Sequence, residues 1–132
     1  MGVFHVTALY GALLAFIGVV LILRVIVVRA STRVSILHGD DMVLAQEIRR
    51  HGNFFEHVPL ALVLMALVEA NGGNDLILHS MGAILVAARI VQPFGLHYDR
   101  IMHPLRVLGS VGTLLPMTTF GSIALWQAIN AF

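Results

Sequence analysis

Residues 49–72 read RRHGNFFEHVPLALVLMALVEANG, and the order of charge, apolar run and turn in this stretch decides the fold. Val58 to Val68 is apolar and broken only by Pro59. Counting about 20 residues back from Glu69, the number needed to cross a bilayer core, reaches Arg49 and Arg50. The stretch is therefore a membrane span with a polar entrance. Arg49, Asn53 and Glu56 stand at i, i+4 and i+7, within about 60° of one another on a helix of 3.6 residues per turn. Glu56 lies roughly 10 Å past Arg49 at 1.5 Å per residue. A carboxylate at that depth is costly unless it is paired or faces a wet cavity. This stripe is the first place to look for function.

The rest of the chain repeats the pattern. Hydrophobic residues make up 58% of the 132 and charged residues 11%, against roughly 25% charged in soluble domains; mean hydropathy is +0.90. Four apolar blocks follow one another: Val3 to Val28, Met42 to Val68, Leu76 to Val91 and Leu105 to Ile129. Each spans, or nearly spans, the roughly 30 Å hydrocarbon core as a helix, the third by recruiting Gln92, Pro93 and Phe94. The expectation is an all-α membrane protein, one four-transmembrane-helix bundle with helices over about 3–29, 41–70, 75–94 and 104–130. The first block lacks a basic n-region and is too long for an h-region, so it reads as a retained span and not a signal peptide. With no cysteine, the chain offers no disulfide and no thiol nucleophile. Any sulfur chemistry arrives on a ligand.

All eight basic residues are arginine: Arg24, Arg29, Arg33, Arg49, Arg50, Arg89, Arg100 and Arg106. Four spans put every one of them at the same side, while Glu69, Asp75 and both termini fall at the other. The positive-inside rule then predicts both Arg-bearing loops in the cytoplasm and both termini outside. Asp40 and Asp41 suit the N-cap of helix 2, residues 71–74 (NGGN) a tight turn, and Pro104 the first turn of helix 4. Gly109 and Gly112 mark a face for close helix contact.

Arg89 lies about two turns from the end of helix 3, at the depth of Glu56. An Arg89–Glu56 ion pair is expected, serving either to fix helix register or to build a site. Pro59 removes the hydrogen bond to the Phe55 carbonyl and is expected to loosen helix 2 beside the acid. Arg49, Arg50, Arg100 and Arg106 make the mouth positive, which suits an anionic ligand; Arg24, Arg29 and Arg33 read as topology determinants. His51 and His57 are six apart, as are His97 and His103, so neither pair shares a helical face and no metal set is expected. No nucleic-acid partner is expected.

The spacing Arg49-x-x-x-Asn53-x-x-Glu56-x-x-Pro59, with Arg89 on the third helix and Pro104-x-Arg106 opening the fourth, resembles the MAPEG family, the membrane-associated proteins in eicosanoid and glutathione metabolism. The similarity covers essentially the whole chain and is nearest to small bacterial members. The resemblance implies a homotrimer in the bacterial inner membrane, with glutathione as cosubstrate bound between subunits at the cytoplasmic side. It implies that Arg49, Asn53, Glu56 and Arg89 contact glutathione or hold its site, and that Arg106 stabilises its thiolate, with Arg100 as the fallback. Gln92 and Leu96 stand where family enzymes often carry His or Tyr, and Gln92 retains hydrogen-bonding capacity. The implied activity is a membrane-bound glutathione transferase or peroxidase acting on lipophilic electrophiles that enter from the lipid. The alternatives are a non-catalytic lipid-binding or scaffold protein of the same fold, and a small proton-coupled exporter using Glu56.

Overall fold

The structure, a computed structural model, describes residues 4–131. It consists of four helices in sequence: α1 (His5–Thr32), α2 (Met42–Ala70), α3 (Asp75–Gly95) and α4 (Pro104–Ile129). All four are long and apolar enough to cross a membrane, and together they form the expected four-helix bundle. Position 3, where the first helix was expected to begin, lies outside the described residues. At the other end α1 runs to Thr32, three residues past expectation, and stops where Arg33 turns left-handed at φ 57°. Arg29 holds the following loop by donating to the Val34 and Leu37 carbonyls.

Helix boundaries follow local chemistry. Asp41 caps α2 by accepting from the Leu44 amide, whereas Asp40 sits in the loop at φ 65°. The α2–α3 turn needs Gly72, at φ 75°, and Asn74 then caps α3 by accepting from Leu76 and Ile77. Pro104 occupies the first turn of α4, where its missing N–H costs nothing. α2 continues through Pro59 and α3 through Pro93.

The α1 amino terminus is capped from a distance. Phe4 supplies no side-chain cap. Instead Glu69, at the far end of α2, accepts from the Val6 and Thr7 amides at 2.8 Å each, which places a carboxylate on the positive end of the α1 dipole.

Two apolar clusters fill the interior. Leu14, Leu21, Phe54, Val58, Ala61 and Leu85 pack towards the Arg-rich end. Val6, Tyr10, Met65, Val68, Leu78 and Phe120 pack towards the other. Outside, large apolar side chains stay uncovered, Phe16 at 72% and Leu76 at 77% exposure among them, an arrangement that lipid tolerates and water does not. Lipid tails are as apolar as leucine, so close packing rather than hydrophobic burial holds the helices together. α3 and α4 make the most intimate contact. At their joint a Cβ on Gly95 would overlap the backbone of Arg106. Gly109 and Gly112 abut Gln92 and Ala88 in the same seam, as their spacing led us to expect.

Candidate functional site

Arg49 and Gln46 on α2, Arg106 on α4, and Leu96, His97 and Tyr98 in the α3–α4 connection line a cavity of about 170 Å³ at the Arg-rich end of the bundle. The approach permitted by Gly95 puts the α4 amino terminus beside this connection. Arg106 enters from the first turn of α4, one N–H donating to the Ile101 carbonyl at 3.3 Å. Gln46 accepts from the Tyr98 amide at 3.1 Å through Oε1, and among the described residues nothing accepts from its Nε2. The cavity is thus rich in donors, two guanidiniums, a side-chain amide and a phenol, with the imidazole of His97 beside them.

Arg49 also makes a bidentate pair with Glu56, at 2.8 and 2.6 Å. Three of its five N–H groups remain after these two bonds. Both side chains are about half exposed, 57% and 50%, on the outside of the bundle. The expected Arg89–Glu56 pair does not form. The two residues sit at similar depth, but Glu56 points out of the bundle while Arg89 points in. Arg89 is 2% exposed. It donates to Asn53 Oδ1 at 3.1 Å, to the Gly109 carbonyl at 3.5 Å and to the Thr113 hydroxyl. Depth was legible from residue counting; rotation about the axis was not.

Asn53 therefore faces Arg89 rather than the cavity, and its carbonyl accepts from His57 at 2.8 Å. Gln92 is buried against α4 with Nε2 3.4 Å from the Ser110 hydroxyl, and its Oε1 has no hydrogen-bond partner among the described residues. Arg100 stays on the surface beside Asp99, 4.0 Å away. Of the residues singled out from sequence, Arg49 and Arg106 meet at the cavity and Glu56 joins through Arg49; Asn53, Arg89 and Gln92 do not line it but bond α3 to α2 and α4 inside the bundle, and Arg100 stands apart.

A second polar group was missed from sequence. Glu47, 3% exposed, accepts from Arg24 at 2.9 and 3.0 Å and from Arg50 at 2.5 Å. Arg50 then donates to the Leu96 carbonyl at 3.1 Å. Arg50 accordingly adds no free charge to the mouth, and Arg24 does more than set topology: together they tie α1, α2 and the end of α3. The i, i+3 spacing of Glu47 and Arg50 was the available signal. His97 and His103, set aside because six residues do not share a helical face, also meet, with ring centroids 5.6 Å apart. The helical argument failed because both lie off the helices, in the connection and at its cap.

Residues 7–126 match the model of the MAPEG family. The chain belongs to the MAPEG family. It is similar to the inner membrane protein YecN of two Escherichia coli strains, 36% identical over 93 residues, covering 70% of this chain and 71% of the relative in each case. No solved structure matches it. All the residues lining the cavity of this MAPEG protein, and the Arg24–Glu47–Arg50 group that braces it, fall within the matched span.

Proposed function

We propose that this MAPEG protein is an inner-membrane glutathione transferase or peroxidase for lipophilic electrophiles, working at the cavity between Arg49 and Arg106. The observation that carries the reading is the convergence of these two arginines, from α2 and α4, on one cavity beside an uncommitted amide. Glutathione presents two carboxylates and a thiol. The donor set fits it: Arg49 and Gln46 suit a carboxylate, and Arg106, at the positive end of α4, suits a thiolate.

The magnitude of the Arg106 effect is bounded by acid–base chemistry. A free thiol with pKa near 8.5 is only about 3% ionised at pH 7, so complete ionisation raises the reactive fraction about thirtyfold. Arg106 supplies the charge that favours the ionised form. The attacking sulfur then meets an apolar substrate arriving through the lipid-facing side of the bundle. Arg89 acts behind the site, holding Asn53 on α2 against α4.

Assembly as a homotrimer with the site between subunits belongs to the same reading. At about 170 Å³ the cavity falls short of the roughly 300 Å³ at which small-molecule sites begin. The half-exposed Arg49–Glu56 pair lies on the outer surface of a spanning helix, where lipid is a poor neighbour for charge. A second copy laid against this face would enlarge the cavity and cover the pair. On this reading the cavity faces the cytoplasm and both termini the periplasm, an orientation that the one-sided arginine bias supports.

The test is to titrate detergent-purified protein with glutathione at neutral pH while following thiolate absorbance in the ultraviolet. A saturable signal that disappears in Arg106→Ala, with binding retained, is the expected result. Absence of both binding and signal in the unmodified protein would move the function to lipid binding without catalysis.

A further inference from the structure

The proposed chemistry leaves one requirement unmet by the arginines. Arg49 and Arg106 favour a thiolate but cannot take the proton that ionisation releases, because guanidinium is already protonated at any accessible pH. We infer that His97 is the catalytic base that accepts this proton, through Nδ1; the inference rests on the glutathione reading above.

Three observations lead to His97. It lines the cavity with both arginines. Its Nε2 lies 3.0 Å from the Phe94 carbonyl oxygen. A carbonyl only accepts, so Nε2 carries the hydrogen and the neutral ring keeps its lone pair on Nδ1. Among the described residues, nothing hydrogen-bonds to that nitrogen. Third, the backbone is pinned on both sides of this one residue. Arg50 holds the Leu96 carbonyl at 3.1 Å and Gln46 holds the Tyr98 amide at 3.1 Å. A ring fixed in tautomer and flanked by anchored backbone is pre-organised for proton transfer.

The neighbouring ring does not offer the same lone pair. His103 accepts from the Leu105 amide through Nδ1 at 3.3 Å, capping α4, which commits its acceptor. The other charged and titratable groups around His97 are Arg49, with Glu56 behind it, on α2; Arg106 on α4; Tyr98, Asp99 and Arg100 in the connection; and the Glu47–Arg50 pair beneath Leu96. Asp99 is turned to Arg100, and the carboxylates of Glu47 and Glu56 are held by arginines. His97 is left as the available acceptor. In the step itself the S–H bond breaks, its electron pair stays on sulfur, and the proton moves to Nδ1 to give an imidazolium beside the thiolate. The imidazolium later returns the proton to water or to the oxygen or leaving atom of the product.

The test counts protons. Glutathione is mixed with the purified protein in weak buffer containing a pH indicator, while thiolate absorbance is read in the same sample. Unmodified protein is expected to release clearly less than one proton per thiolate formed, the remainder staying on the ring. His97→Gln should release one full proton per thiolate and form thiolate at least about a hundredfold more slowly, the low side of what a general base contributes. Added imidazole should restore the rate in His97→Ala. Because the count is taken per thiolate, partial loss of folded protein does not imitate it. An unchanged ratio and rate in His97→Gln would overturn the role of His97 while leaving thiol activation intact. A change in ratio on His103→Gln alone would assign the proton to the other ring. Failure of the unmodified protein to form thiolate would overturn both this inference and the function it rests on.

Discussion

Asn53 and Arg89 show what a single buried contact does for the site. The amide oxygen of Asn53 accepts from a guanidinium that is 2% exposed and shared with α4. Replacing Asn53 by Ala leaves one of those N–H groups without its partner, at a cost of about 1–3 kcal/mol. The expected outcome is a lower unfolding midpoint in detergent and weaker glutathione binding, since Arg49 lies one turn away on the same helix. Unchanged values for both would mean that the contact is idle. At Arg106 the expected loss is of a different kind, up to about thirtyfold in turnover at pH 7 with little change in binding. That loss should shrink as pH rises past 8.5, where the free thiol ionises unaided. The i, i+4, i+7 spacing made Arg49, Asn53 and Glu56 visible as a stripe. It left open that Asn53 turns inward and Glu56 outward, a matter of tens of degrees about the α2 axis settled by packing.

Two carboxylates organise the elements. Glu47 joins α1 to α2 and, through Arg50, fixes the end of α3. Removing it in Glu47→Ala leaves Arg50 buried and unpaired, which costs about 3–5 kcal/mol. Denaturation in mixed detergent micelles should show that loss, together with release of the 96–98 segment from the cavity wall. Glu69 does the equivalent at the other end by capping α1 across the bundle. Glu69→Ala should cost about 1–2 kcal/mol, as loss of an N-cap does, and should speed amide exchange in the first turn of α1 while sparing the cavity. Uniform exchange along α1 would count against the cap. The long-range links were not legible in sequence, because they join residues 23 and 63 positions apart and hydropathy carries no information on such partners; only the i, i+3 spacing of Glu47 and Arg50 was a local signal. The starts of α2, α3 and α4 were legible, since the Asp41 cap, the turn over residues 71–74 and the Pro104 at the first turn are local signals.

For the whole molecule, the prediction concerns assembly and orientation. Native mass spectrometry in a mild detergent should give a mass near three times the 14.3 kDa chain. Reporter fusions at the C-terminus should be active in the periplasm and inactive in the cytoplasm. A monomer that binds glutathione fully would remove the argument from the small cavity and the exposed Arg49–Glu56 pair.

Sequence alone determined the number, order and approximate limits of the helices and the gathering of all the arginines at one end. Those properties depend on transfer free energy and local capping, which act residue by residue. Membership of the MAPEG family was likewise legible, from the spacing on α2 together with Arg89 and Arg106. Only the tertiary structure decided which polar groups meet: Arg89 with Asn53 and Thr113, Glu47 with Arg24 and Arg50, and His97 with the arginines of the cavity. Those meetings depend on helix rotation and on the close approach at Gly95, and both are set by side-chain packing between helices that no single helix encodes.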